Sequence, residues 1–293
     1  MDSGVTIAPL FSANFSLVEM TKKKNGPIPC LIAGIGAWGR YFHNWQELNS
    51  LFKGIKLCDG ELSGPKPHLV PANERRRLPL PARLAIESSW QATQAAGVDL
   101  ENLTSVFVSG LGDTDLTDYM CKVLASEHKE LSPTKFHNSV HNAPAGYWTI
   151  SSKNMASATS VAGYEHSTSL ALLEALIQLR SENNPVLVTL YDAPVSDILE
   201  PLLLNKEPFS FSLLLVPEGQ NFEGVKLEVS VEDGVETGWA PLLTQDNYLQ
   251  TLHKYNPSAK ILGFVEHYIC RDRVDNDLLM PLSTATALKL RIY

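Results

Sequence analysis

The chain has 293 residues, of which 44% are hydrophobic and 19% charged, enough apolar material for a packed core. Its 24 lysine and arginine residues against 32 aspartate and glutamate residues leave a formal net charge of −8. This charge argues against nucleic-acid binding, which draws affinity from neutralised phosphates. No apolar run reaches the roughly 20 residues that span a bilayer, and no basic leader precedes the first apolar stretch. We therefore predict a cytoplasmic protein without a membrane span.

After an amino-terminal arm, the first part of the chain alternates between strands and helices. Residues 1–26 are predicted to form a loosely ordered arm that ends in a solvated lysine run. The elements that follow are a buried strand from Pro27 to Gly34, a helix over Trp45–Phe52 ended by Gly54, a Gly- and Pro-rich loop from Cys58 to Pro71, a helix over Ala82–Ala92 ended by Gly97, a strand over Ser105–Gly110 and a helix over Leu116–Glu127.

The second part continues the same alternation. Leu170–Arg180 is predicted to be a buried helix. Three strands are predicted after it, over residues 185–191, 210–216 and 225–231. Five strands alternating with helices imply an α/β fold with a sheet covered on both faces. After Asp233 the pattern weakens. We therefore divide the chain into an arm (1–26), one domain (27–232) and a carboxy-terminal extension of unknown role (233–293).

The cysteine and histidine spacings predict neither a disulfide framework nor a metal site. His137 and His141 are four residues apart, a spacing that can place two imidazoles on one helical face. No carboxylate lies between them, and Pro144 indicates that a helix starts only after them. The cysteines occur without a C-x-x-C pair and are predicted to be reduced, partly buried thiols: Cys30, Cys58, Cys121 and Cys270.

The segment Gly34–Gly39 matches G-x-G-x-x-G after a strand, the fingerprint of dinucleotide-binding folds. That chemistry needs a helix starting within the motif, so that its amino terminus faces the pyrophosphate. Here Arg40–Asn44 intervene before the helical pattern, and the bulky Trp38 occupies the approach. We therefore favour a tight glycine turn leaving the first strand over a nucleotide site.

A catalytic nucleophile is expected on a turn between a strand and a helix, but G-x-S-x-G is absent. The best candidate for such a turn is the run of small and apolar residues from Ala158 to Leu170, which turns at Gly163. Ser167, Thr168 and Ser169 can cap the helix after it. The turn itself carries Tyr164-Glu165-His166, without a cysteine or serine nucleophile.

One dense basic cluster consists of Arg75, Arg76 and Arg77 together with Arg83. It is either a solvated approach to the next helix or a landing site for an acidic partner. In the second case, its fixed positive charge would steer the association of that partner.

Several of these segments together resemble the amino-terminal half of β-ketoacyl synthases, the thiolase-like condensing enzymes. The similar segments are Leu31–Ala37 with Trp45–Leu48, Arg76–Ala85, Val106–Gly112 and Ser132–Gly146. The last is the most specific, because it matches the family's S-P-x-x-F-x-N-S-x-x-N-x-x-x-G segment. The resemblance covers roughly residues 28–231. It implies half of a thiolase-like fold, with αβα layers around a mixed, mostly parallel five-stranded sheet.

Two departures from the family bear on activity. Alignment of Ser169-Leu170 with the family pattern puts His166 at the position of the catalytic cysteine, and a slip of one residue puts Glu165 there. Neither side chain can form the acyl thioester of a condensation. The second departure is the absence of a segment resembling the histidine loop of the family's other half; His253 and His267 lie in unlike contexts.

The chain resembles in particular the chain-length-factor-like β-ketoacyl synthase proteins of aryl polyene gene clusters. By that resemblance it pairs with an active ketosynthase, or forms a homodimer, and shapes the acyl tunnel without a catalytic residue, metal or cofactor. The resemblance also implies an acyl carrier protein as partner, which the arginine cluster would contact. The residues expected at the tunnel or dimer interface are His137, Asn138, His141, Asn142, Ala143, Tyr147 and Trp148, although core packing is an equal alternative for the two aromatic residues.

Two other functions remain open from the sequence. A degenerate acyltransferase or decarboxylating condensing enzyme could use Glu165 or His166 as a base, although a helix amino terminus disfavours a cationic histidine. Alternatively, the chain is a module that binds an acyl carrier protein or a free acyl chain without a synthase partner.

Overall fold

The computed structural model describes residues 26–60, 64–234, 238–271 and 277–293. Within these ranges one mixed sheet contains eight strands in the order β3-β2-β4-β5-β1-β6-β8-β7. The predicted amino-terminal arm lies, apart from Gly26, outside the described residues. The strands are β1 (Ile28–Gly39), β2 (Thr104–Val108), β3 (Ala158–Val161), β4 (Val186–Asp192), β5 (Phe209–Pro217), β6 (Val225–Asp233), β7 (Leu278–Pro281) and β8 (Thr286–Ile292).

The predicted helices are present, with ends shifted by a few residues. The helices are α1 (Trp45–Phe52), α2 (Ala72–Arg75), α3 (Leu80–Ala96), α4 (Thr114–Ala125), α5 (Pro133–His137), α6 (Ala143–Ser152), α7 (Ser167–Glu182), α8 (Glu200–Leu203), α9 (Asn247–Tyr255) and α10 (Leu262–Ile269). Gly97 ends α3 in the left-handed conformation at φ 64°, as predicted. No helix in the described ranges is long and apolar enough to cross a membrane.

The α/β class is confirmed, but the predicted count and direction of the strands were wrong. The described sheet has eight strands instead of five, and only β2–β3 and β2–β4 pair in parallel, while the other five pairs are antiparallel. The apolar pattern of a strand is the same whether the strand runs parallel or antiparallel to its neighbour. The sequence pattern therefore does not predict strand direction. β3 was missed because it is only four residues long, and β7 and β8 lie beyond Asp233, where the pattern weakens.

The residues that match G-x-G-x-x-G continue strand β1, so the prediction of a tight turn there was wrong. Their glycines let α3 approach the sheet closely. A Cβ atom on Gly34 would overlap the carbonyl oxygen of Ala92, and one on Gly36 would overlap that of Ser88. The motif therefore serves packing between a helix and the sheet.

Each face of the sheet carries its own apolar core. Along β4 the buried side chains alternate: Val186, Val188 and Leu190 belong to one cluster, and Leu187 and Tyr191 to the other. Helices α1, α7, α9 and α10 cover the first face, and α3 and α6 cover the second. The molecule therefore has the αβα layers that the family resemblance implies.

The residues after Asp233 contribute to the same sheet and core. Strand β8 pairs with β6 along its whole length, and β7 forms the edge of the sheet beyond it. Phe264 and Leu288 are almost completely buried in the cluster under α7. Residues 238–271 and 277–293 thus cover apolar surface that strands β1 to β6 would otherwise expose to water.

Candidate functional site

The turn between β3 and α7, here called the elbow (Gly163–Ser167), lies where the family's nucleophile is expected. Tyr164 has a positive φ of 47°, a conformation that non-glycine residues rarely adopt and that clusters at functional sites. Residues 164–166 form a 3₁₀ turn that runs directly into α7. The predicted helix cap is replaced by a different contact: His166 is the cap residue without a side-chain cap bond, and Ser167 Oγ accepts a 2.9 Å hydrogen bond from Gly163 N.

The side chains of the elbow offer no acyl-accepting thiol. Glu165 is exposed, and its carbonyl oxygen accepts a 3.1 Å hydrogen bond from Trp239 Nε1. His166 is half-buried, and its Nδ1 lies 3.2 Å from the carbonyl oxygen of Pro281. Because a carbonyl oxygen only accepts, His166 Nδ1 carries the hydrogen in this contact. The turn is thus held by two contacts from the carboxy-terminal part of the chain.

A buried carboxylate joins the strand ends beneath the elbow. Asp192, at the end of β4, accepts bonds of 2.7 Å from Ser109 Oγ and 2.9 Å from Leu111 N on one oxygen. Its other oxygen accepts from Gly110 N at 3.2 Å and from the backbone and hydroxyl of Ser258 at 3.1 and 2.7 Å. Complete burial raises the pKa of Asp192, while these five bonds favour the charged form.

A cleft of about 520 Å³, which the sequence pattern does not predict, lies beside the elbow. Lys260 is almost fully buried in its wall, where burial lowers the pKa of the amine and the negative charge of Glu165 opposes that shift. His253 lines the same cleft, and burial followed by the charge of Lys260 lowers its pKa to about 4. No spacing in the sequence links these residues to the elbow. Only the folding of α9 and the following turn onto the sheet brings them there.

The most specific family segment folds into α5, a loop and the start of α6. Pro144 begins α6 as predicted. Asn138 is buried and accepts a 2.8 Å hydrogen bond from Tyr147 Oη. The ring of Tyr147 also contacts that of His137, edge to face, with 6.2 Å between the centroids. The loop is therefore braced against its own helix.

A cleft of about 460 Å³ opens between this segment and α4. Asn138, His141 and Ala143 line it on one side, and Leu116 and Met120 on the other. Among the remaining predicted interface residues, Asn142 is exposed next to this cleft. Trp148 points elsewhere: it is completely buried in the core cluster under α3, with its ring centroid 6.4 Å from that of Phe107.

The outer edge of β3 is unpaired in the described sheet, because β2 contacts only its other side. Large apolar side chains are exposed in the segment that leads to it. Ile150 is 75% exposed and Met155 88%, while Phe136 and Val140 are each more than half exposed. An unpaired edge flanked by exposed apolar side chains is typical of a surface that another chain covers.

The four arginines of the basic cluster differ in exposure. Arg75, the last residue of α2, donates two hydrogen bonds to the carbonyl oxygen of Val70. Arg76 and Arg77 are exposed. Arg83 lies half-buried on α3, where burial lowers its pKa and its Nε has no hydrogen-bond partner among the described residues.

The cysteines and the two histidines of the family segment are found as follows. All four cysteines are free thiols: Cys30 is buried, Cys58 and Cys270 are half-buried, and Cys121 is exposed. In the described part of the chain, His137 and His141 join no group of three metal-ligating side chains.

The family model of the β-ketoacyl synthase N-terminal domain matches residues 43–259, more than half of the chain. The chain therefore belongs to this family, and the family resemblance of the sequence is confirmed. Comparison with curated proteins gives no significant match.

Three solved structures with the same fold come from complexes that contain a ketosynthase. The complex of ketosynthase ApeO with its chain length factor ApeC from Xenorhabdus doucetiae matches with a TM-score of 0.64 and 19% identity, over 89% of this chain and 98% of that one. The ishigamide ketosynthase/chain length factor matches with a TM-score of 0.66 and 12% identity, over 90% and 99%. The AntDE:AntF complex, a type II polyketide synthase acyl-carrier protein with its ketosynthase, matches with a TM-score of 0.65 and 11% identity, over 90% and 99%. Identities this low show a shared fold.

Proposed function

We propose that this chain is a chain-length-factor type subunit, which pairs with an active ketosynthase and shapes its acyl tunnel without catalysing the condensation itself. The observation that carries the proposal is the elbow. A condensing enzyme must hold the growing chain as a thioester at this turn, and the turn carries Tyr164, Glu165 and His166.

The surroundings of the elbow support a structural role for its side chains. His166 directs Nδ1 at the carbonyl oxygen of Pro281, and Trp239 binds the carbonyl oxygen of Glu165. Both contacts hold the turn, and neither presents a nucleophile. The neighbours of similar fold are complexes of a ketosynthase with a chain length factor or a carrier protein, which agrees with an assembly of this kind.

The unpaired edge of β3 supplies a surface for the ketosynthase. Exposed apolar side chains in water cost about 25 cal/mol per Å² relative to burial, so covering Ile150 and Met155 favours association. Strand addition at the edge would satisfy the free backbone groups of Ala158–Val161 at the same time. The cleft lined by His141 and Ala143 opens in the segment that precedes this surface, where it could form part of an acyl tunnel.

The proposal also includes an acyl carrier protein as a second partner and an aryl polyene as the product. Arg76 and Arg77 are exposed cations that an acidic carrier protein could approach. Arg75 and Arg83 are less suited to that contact, because one is bonded to Val70 and the other is half-buried.

The test is co-purification of the full chain with the β-ketoacyl synthase encoded nearest to its gene. We expect a one-to-one complex by native mass spectrometry, and a loss of affinity of at least about tenfold for Ile150→Glu and Met155→Glu. Leu202→Glu and Leu243→Glu are matched controls, because these side chains are 77% and 75% exposed on α8 and on the loop before α9. The absence of a complex, or equal weakening by all four substitutions, contradicts the proposed interface.

Activity assays separate this function from the enzymatic alternative. We expect the chain alone to leave malonyl-carrier protein intact. The complex should catalyse condensation at the same rate whether it contains Glu165→Ala, His166→Ala or the unaltered chain. Decarboxylation by the chain alone that disappears in His166→Ala would instead identify a degenerate enzyme.

A further inference from the structure

A second cluster of reactive side chains lies at the start of α1. It consists of His43, Glu47 and Cys58, whose possible ligand atoms all lie within 4.8 Å of one another. Cys58 Sγ is 2.9 Å from Glu47 Oε2 and 3.9 Å from His43 Nδ1. It is the one group of three such ligands in the described part of the chain, and neither the family resemblance nor the proposed function uses it.

Two of the three side chains, Glu47 and His43, are held in place by their surroundings. Glu47 accepts hydrogen bonds from the backbone of His43 at 2.6 Å and from Asn44 Nδ2 at 2.9 Å. The ring of His43 stacks on that of Trp38, with 5.3 Å between centroids and 13° between planes. A ligand held by its neighbours loses less conformational entropy when it binds a metal, and supporting contacts of this kind tune affinity.

The chemistry of the donors selects the metal. A thiolate, an imidazole nitrogen and a carboxylate oxygen together suit Zn²⁺, whereas Mg²⁺ and Ca²⁺ prefer oxygen ligands alone. Two ligands of a tetrahedral zinc ion are about 3.4–3.6 Å apart. The two separations from Cys58 Sγ, 2.9 and 3.9 Å, bracket that value, and the third pair lies within 4.8 Å. Side-chain shifts of up to about 1.5 Å would therefore complete the geometry.

We propose that His43 Nδ1, the Glu47 carboxylate and Cys58 Sγ bind one Zn²⁺ ion, with water as the fourth ligand. The ion would tie the loop that follows α1 to the start of that helix. The positive end of the helix dipole opposes a cation, but the two anionic ligands outweigh its partial charge. Zn²⁺ displaces the thiol proton of Cys58, which now points at Glu47, and that proton goes to solvent.

The test uses the full chain after removal of metal by a chelator, with Co²⁺ as a spectroscopic probe and Zn²⁺ as its competitor. We expect one Co²⁺ per chain with a sulfur-to-cobalt charge-transfer band, which Zn²⁺ abolishes. Cys58→Ser should lose the band, and His43→Ala and Glu47→Gln should weaken binding at least about tenfold. Glu47→Gln retains an oxygen that can accept from the backbone of His43, so the start of α1 is preserved.

The controls distinguish this cluster from an exposed thiol that binds metal by itself. Cys121→Ser should keep the band, because Cys121 is the exposed cysteine on α4. Zn²⁺ should also raise the melting temperature of the unaltered chain and leave that of Cys58→Ser unchanged. No sulfur band, a band that persists in Cys58→Ser, or a band lost in Cys121→Ser overturns the proposal. None of these outcomes bears on the proposed subunit function.

Discussion

Asp192 shows how one residue connects distant parts of the chain. Its carboxylate receives bonds from the end of β2 at Ser109 and from the turn at Ser258, which are 83 and 66 residues away along the chain. The donors come from both sides of the proposed division at residue 233. A buried carboxylate that satisfies five donors therefore holds the carboxy-terminal part against the end of the sheet.

Replacement of Asp192 by alanine should lower the free energy of unfolding by about 3–4 kcal/mol, because buried donors would lose their acceptor. Urea unfolding followed by circular dichroism measures the difference. Asp197→Ala is the matched control: Asp197 is exposed on the loop after β4, and we expect a change within about 0.5 kcal/mol. A loss for Asp192→Ala no larger than that of the control would contradict the role of this carboxylate.

His253 should make the fold sensitive to mild acid. Its pKa is lowered from 6.5 to about 4 in the folded chain, so the unfolded chain binds more protons between these values. The stability that depends on neutral His253 is therefore complete above pH 6.5 and is lost as the pH falls towards 4. The slope is at most about 1.4 kcal/mol per pH unit for one proton.

Thermal unfolding at a series of pH values measures this effect. Between pH 6.5 and 4.5, the unaltered chain should lose up to about 2 kcal/mol more than His253→Leu, which has no proton to bind there. The comparison between the two chains cancels the contribution of the carboxylates. Parallel curves for both would show that His253 is protonated in the folded state as easily as in the unfolded one.

At the scale of elements, the contact between β1 and α3 depends on two glycines. The backbone of α3 lies so close to β1 that no side chain fits at Gly34 or Gly36. Gln91 adds a polar contact, since its Oε1 accepts a 3.1 Å hydrogen bond from Ala37 N. In other folds this spacing of glycines indicates a nucleotide site. In this chain it permits a close crossing of helix and strand.

Gly36→Ala should destabilise the fold by about 3 kcal/mol or more, because the added methyl group overlaps a backbone carbonyl that cannot move independently. Gly146→Ala is the control. It adds the same methyl group to α6 where no atom lies within 4 Å, and alanine favours a helix by up to about 1 kcal/mol. Equilibrium unfolding of both variants checks the expectation, which fails if Gly36→Ala is as stable as the unaltered chain.

At the scale of the whole molecule, the segment Pro133–Val161 contributes both to the cleft and to the exposed apolar surface. Helix α6 supplies Ala143 to the cleft at one end and exposes Ile150 at the other, and β3 follows it. Under the proposed function, a substitution in this cleft tests whether the segment influences the length of the product.

Ala143→Phe should shorten the products of the reconstituted complex, because the larger side chain fills part of the cleft of about 460 Å³. Mass spectrometry of the carrier-bound products measures their length. Ala285→Phe, in the exposed turn between β7 and β8, should leave the length unchanged. Products of equal length from both variants would show that this cleft is not part of the acyl tunnel.

The sequence by itself determined the α/β class, the family and four of the helices (α1, α3, α4 and α7), because these depend on local patterns. Apolar runs mark buried strands, Gly97 ends a helix by its backbone freedom, and the segment Ser132–Gly146 carries a spacing specific to the family. The absence of cysteine and serine at residues 164–166 is likewise a matter of residue identity; that these residues occupy the family's nucleophile position stays a prediction.

Only the tertiary structure decided the direction of the strands, the place of the residues after Asp233 and the groups that meet at the elbow. Periodicity reports which side of an element is buried, but it contains no information on which element buries it. Asp192 and Ser258, or His43 and Cys58, become neighbours through the sheet order and the loop paths, and no spacing along the chain encodes those distances. Close packing selects one arrangement from the many that the local patterns permit.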